Sequence, residues 1–314
     1  DNLKFDLEGI KEVQRKFFGT IYNTYQFFVL YANIDGFDYS QKDIELSKRP
    51  EIDRWILSKL NSLVKVVDDA YGDYEPTKAS RAIQEFVSEQ LSNWYVRLCR
   101  RRFWKGEYTE DKISAYQTLY KCLETVAQLS APVAPFFMDK LFLDLDAVGK
   151  KHNVESVHLS NFPTVNESYI DIDLEERMEI AQKISSMILG MRKKNRLKVR
   201  QPLAKIMVPI LDEKFERQIE AVKDLILSEV NVKSLEYLKE DSGILVKKVK
   251  ANFKLLGKKF GKQMKAVAVA IAQFDQADIA KIEKDGKYVL TIEGKPEVLL
   301  EEVEISTEDI PGLI

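Results

Sequence analysis

The sequence predicts a mainly α-helical protein, an antiparallel helical bundle followed by small α/β C-terminal units. Three observations predict it. Over the first half, apolar residues recur at helical spacing in successive segments joined by short turns, as packed amphipathic helices require. After Arg196 the period changes to two, and strand-like stretches alternate with helical ones. Of 314 residues, 45% are hydrophobic and 31% charged, a globular composition with room for about two or three domains. The pattern shifts divide the chain into a helical domain over 1–165, a small α/β junction over 166–240 and a further α/β unit over 241–314, which is expected to be truncated.

The first helical stripe is Ile10, Val13, Phe17, Ile21, Tyr25 and Phe28. Arg49-Pro50-Glu51 then places a proline where a first helical turn tolerates it. Ile52, Trp55, Ile56, Leu60, Leu63 and Val67 carry the second stripe, and Tyr74-Glu75-Pro76-Thr77 restarts the chain for a third helix. Thr109 is positioned as an N-cap for a fourth, with Ile113, Tyr116, Tyr120, Leu123 and Val126. Pro132 and Pro135 end it, and Phe136 to Leu145 forms a short fifth. Gly149 to Thr164 reads as loop, with a short extended piece at Val157 to Leu159. Ile180, Ile184, Met187, Ile188 and Met191 mark the sixth helix. The strand-like Ala204 to Ile210, a helix on Phe215, Ile219, Val222 and Ile226, and a strand over Val232 to Leu238 make one α/β unit. Another begins near Ser242 with a lysine-studded strand to Phe253. A helix from about Phe260 to Phe274 follows, then strands near Tyr288 to Ile292 and Val298 to Ile305.

The third helix carries the most chemical information. Projected at 3.6 residues per turn, Ile83, Val87, Leu91, Trp94, Tyr95 and Leu98 form the core-facing stripe. Trp94 and Tyr95 are therefore expected to pack inward. Beside them Phe86, Gln90, Asn93, Arg97, Arg100 and Trp104 fall in a second row without a carboxylate, and Arg101 adds to its charge. A solvated helix would normally mix in Glu and Asp to form i,i+4 pairs. Guanidinium planes beside indole and amide groups suit base stacking and phosphate contact, although a merely basic helix face has the same pattern.

The formal net charge is −2, but the charge is segregated. Arg192 to Lys205 holds seven basic residues and no acid, and Ser242 to Phe274 holds eight lysines and no acid. After Glu293 the sign reverses through Glu297, Glu301, Glu302, Glu304, Glu308 and Asp309. Such segregation is expected to create local positive fields that net charge conceals.

Other functions are disfavoured. No apolar run approaches the roughly 20 residues of a membrane span; Ile21 to Ala32 is too short and interrupted by Asn23, Thr24 and Gln26. Two single cysteines, Cys99 and Cys122, argue for a reducing cytoplasm. With only His152 and His158 as histidines, no zinc site or His-based catalytic constellation is expected. Gly257 to Gln263 imitates a phosphate-binding loop but has three intervening residues, and Gln where Ser or Thr should hold magnesium. The chain opens at Asp1 without methionine or signal peptide and stops soon after Pro311-Gly312, so both ends are expected to be cuts from a longer polypeptide.

Taken in order, several segments resemble the isoleucyl-tRNA synthetase family. They are Asp1 to Tyr31, Asp53-Arg54-Trp55-Ile56-Leu57-Ser58, Ser92-Asn93-Trp94-Tyr95-Val96-Arg97 with Arg100 to Trp104, Met191 to Leu203 and Asn252 to Lys262. The second is shared with related class I synthetases. The resemblance implies the anticodon-binding bundle and part of the C-terminal region of a synthetase that joins isoleucine to tRNA with ATP and magnesium. The family's His-Ile-Gly-His and Lys-Met-Ser-Lys-Ser signatures are absent from these residues, so no cofactor and no activity are expected of this stretch alone. It further implies a cytoplasmic monomer whose partner is isoleucine tRNA. On the third helix, Trp104 with Arg97 or Arg100 would stack on bases and contact phosphate, and Gln90 and Asn93 would read base edges. Lys193, Lys194, Arg196, Lys198 and Arg200 would contact stem phosphates, with Lys258, Lys259 and Lys262 extending the footprint. The equivalent region of the valyl enzyme and an independent helical RNA-binding module remain alternatives. A Lys-Met-Ser-Lys-Ser motif just upstream of Asp1 would exclude the independent module.

Overall fold

Consecutive buried positions on one helix mark the centre of the fold. The computed structural model describes residues 6–210, 212–238, 247–292, 294 and 296–307, in two compact units, Asp1–Gln182 and Lys183–Ile314. The first unit holds α1 (Leu7–Val13), α2 (Gly19–Asp35), α3 (Glu51–Gly72), α4 (Pro76–Glu85), α5 (Arg97–Trp104), α6 (Glu110–Ser130) and α7 (Pro135–Gly149). The division falls within α8 (Ile172–Lys194).

On α6 every residue from Ser114 to Tyr120 is buried, and α2, α3, α5 and α7 pack around it. Aromatic rings fix its position. Phe37 stacks on Tyr116 with centroids 5.0 Å apart, and Phe103 meets the same ring edge-on at 5.1 Å, both favourable quadrupole geometries. Pro135 sits in the first turn of α7, where its missing N–H costs nothing.

The second and fourth stripes match the burial closely, whereas the first matches only in its second half. Phe17, Ile21 and Phe28 are buried, but Ile10 and Val13 are exposed. Thr109 adopts the extended backbone of an N-cap without a side-chain capping bond. Val157–Leu159 is a turn of 3₁₀ helix, not an extended piece, because the Ser156 side chain accepts from the His158 amide and caps it.

In the second unit β1 (Leu203–Pro209), α9 (Glu213–Val230) and β2 (Val232–Leu238) make a parallel strand pair around a helix, in register from Leu203 opposite Val232 to Pro209 opposite Leu238. Further on, β3 (Lys247–Ala251) pairs antiparallel with β6 (Val303–Thr307), and β4 (Lys287–Val289) with β5 (Glu297–Leu299). These strands share a core with α10 (Phe253–Phe260), α11 (Met264–Ala272) and α12 (Gln276–Asp285), built on Val249, Leu256, Val267, Ile271, Ile282 and Val298.

Here the expectations need three corrections. The lysine-studded strand stops at Ala251, since the Asn252 side chain caps α10 by accepting from the Lys254 and Leu255 amides; residues 242–246 lie outside the described residues. The helix expected from about Phe260 to Phe274 is α11, which starts only at Met264; α10 precedes it and ends at Phe260, before Gly261 with its left-handed φ of 46°. And α12 was not expected, although Asp275 and Asp278 form a reciprocal capping box and Gly286 ends it in the left-handed region.

Candidate nucleic-acid interface

Between α4 and α5 the chain remains helical but widens. Phe86–Val96 is π-helical, with i→i+5 hydrogen bonds in place of i→i+4. The consequence is a change of azimuth. Ile83 and Arg101 are eighteen residues apart, five whole turns at about 3.6 residues per turn, so an ideal α-helix would stack one above the other. Yet Ile83 is 1% exposed and Arg101 lies open to solvent.

Past the wide turn, α5 presents two faces. Cys99 and Phe103 are buried, and Leu98 is only half-buried. Arg97, Arg100, Arg101 and Trp104, at i, i+3, i+4 and i+7, share the opposite face; all four are exposed, the indole by 53%. The Arg97 guanidinium lies 5.6 Å from the Trp94 ring centroid, and its Nε donates to the Asn93 carbonyl at 2.7 Å. Arg100 and Arg101 make no ion pair among the described residues, leaving both guanidinium planes available. Asn93 is exposed one turn earlier and Gln90 is half-buried. Phe86 leaves the predicted row altogether, being 1% exposed, because at i+3 from Ile83 it shares that residue's buried face before the helix widens. Trp94 and Tyr95 are buried as expected.

A buried carboxylate anchors this helix from below. Asp53, the first residue of the Asp53-Arg54-Trp55 segment, is fully buried. It accepts from Tyr95 Oη at 2.8 Å, Ser114 Oγ at 2.6 Å and both Arg102 Nη atoms at 2.6 and 2.9 Å. Arg102 also reaches Asp111. Of the three consecutive arginines, one therefore locks α5 to α3 and α6 while two face solvent. Two signals in the sequence mark the pair. Asp53 lies on the same stripe as Ile56, Leu60 and Val67, and Arg102 follows Tyr95 and Cys99 at i+7 and i+3.

The basic run after α8 divides in a similar way. Its buried stripe is Leu174, Met178, Ala181, Ser185, Ile188 and Arg192, while Met187 and Met191 are exposed. The expected stripe was the neighbouring one, since Ile and Met draw attention from Ala and Ser. Arg192 is 2% exposed and donates to the carbonyls of Lys198, Gln201 and Asn231, tying the segment after α8 to the start of β2. Lys193, Lys194, Arg196, Lys198 and Arg200 are all exposed, and none forms an ion pair among the described residues. Lys193 and Lys194 lie in the last turn of α8, where cations complement the helix dipole. Arg196 takes a left-handed φ of 55° as the chain leaves the helix.

In the last α/β unit the segregated charges meet again. Lys250 is opposite Glu304 across β3 and β6, and Lys287 pairs with Glu297 at 3.2 Å. Lys259 contacts both Glu302 carboxylate oxygens at 2.9 Å and the Glu297 carbonyl at 3.1 Å. The positive field expected of the eight lysines is thus partly cancelled, and Lys259 is committed to an internal partner. Lys258 is exposed. The side chain of Lys262 lies outside the described residues, as do Glu293, Glu308 and Asp309.

Residues 53–208 match the family of anticodon-binding domains of tRNA ligases. The chain carries an anticodon-binding domain of that family. The matched stretch opens on the buried Asp53 and runs from α3 to β1, so this domain contains both the Arg-Trp face and the basic run. Isoleucine–tRNA ligase of Bacteroides thetaiotaomicron is 58% identical over 99% of this chain, which spans 27% of that protein. The Cytophaga hutchinsonii isoleucine–tRNA ligase is also 58% identical over 99% of the chain, covering 28% of its own length. That of Dehalococcoides mccartyi is 45% identical over 74% of the chain and 23% of its own length. The chain therefore spans about a quarter of the curated relatives it matches.

Proposed function

We propose that this chain is the part of an isoleucine–tRNA ligase that holds and discriminates isoleucine tRNA at the anticodon. The observation that carries the reading is the α5 face, where Arg100, Arg101 and Trp104 are exposed within an anticodon-binding domain. Anticodon bases are unpaired and can splay outward, so an exposed indole offers a stacking platform and guanidinium planes can stack or grip phosphate. Asn93 and Gln90, which carry both donors and acceptors, would read base edges. Lys193, Lys194, Arg196, Lys198 and Arg200 would contact backbone phosphates, positioning the RNA without reading its sequence. Isoleucine activation with ATP and magnesium, and its esterification to tRNA, belong to the whole ligase. Among the described residues no helix is long and apolar enough to cross a membrane, and the proposed setting is cytoplasmic.

Binding of the chain to isoleucine tRNA and to the same tRNA with a swapped anticodon, compared at one stated salt concentration, tests the reading. Preference for the isoleucine anticodon is expected. Equal affinity for both would remove the discriminating role. The chain alone is expected to show no isoleucine-dependent ATP–pyrophosphate exchange, and exchange by the pure chain would overturn its assignment as a tRNA-holding part.

A further inference from the structure

A cavity of ≈ 400 Å³ lies inside the first unit, away from the α5 face, lined by residues of α3, α6 and the segments 39–49 and 151–169. Its volume lies in the range of small-molecule sites, about 300–1,000 Å³, and far exceeds the roughly 30 Å³ share of a single water. One wall is apolar, formed by Leu57, Leu60, Val64 and Phe162.

The opposite wall carries cations. Arg49 is 8% exposed and lines the cavity. Its guanidinium donates to the carbonyls of Ile44 and Ser114, to Thr118 Oγ1 and to Gln117 Oε1. All four acceptors are neutral, and among the described residues Arg49 makes no ion pair. A buried charge normally finds a counter-charge, because desolvating it alone is costly. Lys121 and Lys151 line the same space. Lys151 is exposed, its ammonium 3.4 Å from the Tyr39 ring centroid; partial desolvation there lowers it below the usual lysine range, with Lys121 and Arg49 pushing the same way against Glu124 and Asp43. Three cations thus face two carboxylates, of which Glu124 is held by Lys121 and His152, and Asp43 accepts from Tyr39 Oη.

We propose that this cavity binds a small organic anion, a phosphate or carboxylate on an apolar body. Arg49, Lys121 and Lys151 supply its counter-charge, and Leu57, Leu60, Val64 and Phe162 cover the body. An excess of positive charge is what an oxyanion satisfies, whereas a neutral ligand would leave that excess in place.

The chain has only two histidines, His152 at the cavity and the exposed His158 outside it. Their ring proton resonances therefore give a reporter and an internal reference. The intact chain is titrated, without tRNA, with phenyl phosphate, benzoate and inorganic phosphate. Saturable movement of the His152 signal with phenyl phosphate or benzoate, and none of His158, is expected. The stronger of the two identifies the headgroup. Lys151→Met keeps the aliphatic stem of an exposed side chain and removes its ammonium, which should weaken binding about tenfold, the loss of one hydrogen bond to a charged group.

Silence of His152 with all three anions overturns the proposal, and so does unchanged affinity in Lys151→Met. A response to inorganic phosphate alone overturns the apolar body. Displacement of bound phenyl phosphate by tRNA would assign the cavity to the nucleic acid instead. Because the primary titration contains no RNA, its outcome and that of the anticodon comparison are independent.

Discussion

Charged side chains that look alike in the sequence divide by burial into anchors and solvent-facing groups, the latter the proposed contacts to RNA. Arg102 and Arg192 are spent on Asp53 and on backbone carbonyls, while Arg100, Arg101 and Arg196 face solvent. Removing an anchor should cost stability and removing a contact should cost binding. Asp53→Ala leaves Arg102 with Asp111 alone and strands the Tyr95 and Ser114 hydroxyls in the core, so unfolding free energy should fall by about 3–5 kcal/mol, as when one partner of a buried ion pair is removed. Chemical denaturation measures it, and a loss under about 1 kcal/mol would mean that water replaces the carboxylate. Arg100→Lys and Trp104→Ala should leave folding nearly intact. The first keeps charge without the planar fork; the second removes a stacking surface worth roughly 1–3 kcal/mol if a base lies on it. Both should lose more affinity for isoleucine tRNA than for an anticodon-swapped tRNA. Equal losses on the two tRNAs would make the face a phosphate clamp. The sequence displayed these arginines but not their division of labour, which depends on azimuth.

At the level of elements, helices α3, α6 and α9 were legible because a long apolar stripe dominates each, and β1 and β2 because the period changes at Arg196. Less was legible where the backbone departs from a single period or where small residues make the contact. The π-helical stretch re-aimed Phe103 into the core, and Ala181 and Ser185 gave α8 a buried face that Ile and Met spacing did not reveal. The start of α12 was written in Asp275 and Asp278, but its short apolar pattern was outweighed by the lysines around it. The segment after α8 can be tested as one electrostatic unit. Replacing Lys194, Arg196 and Lys198 with Ala should weaken binding to all tRNAs alike. It should also flatten log affinity against log salt by about 0.7–0.9 per lost phosphate contact. If affinity and salt slope both stay constant, the run is only a solvated face.

For the molecule as a whole, the opposed charges of the final lysine-rich and acidic stretches fold onto each other, as Lys250 opposite Glu304 and Lys259 on Glu302 demonstrate. Summing charge along the chain could not reveal this, because the pairing strands are far apart in sequence. Acid stability rests on buried ionic groups in the bundle. Burial alone would raise the Glu124 carboxyl, but Lys121, Lys151 and His152 outweigh it and hold it below the ordinary value of 4.5. A carboxylate with a lowered folded value stabilises fully above its unfolded value, and the contribution vanishes as pH falls through the folded one. Stability should therefore fall from about pH 4.5 downward, and Glu124→Gln should lose less over that interval, measured as denaturation midpoints against pH. A parallel decline in both proteins would place the acid sensitivity elsewhere. Both thiols are buried and free, and burial raises each of them, that of Cys99 to about 12. Neither should react with a thiol reagent in the native protein.

The wide turn of Phe86–Val96 has one more consequence, concerning chain length. Within an α-helix each residue advances the azimuth by about 100°, so the direction in which Arg100 and Trp104 point is set by how many residues separate them from Ile83. A single deletion inside the wide stretch would leave composition and charge almost untouched while swinging the arginine-tryptophan row towards the interior and Phe103 out of it. This part of the domain should accept many substitutions on its outer side and hardly any change in length.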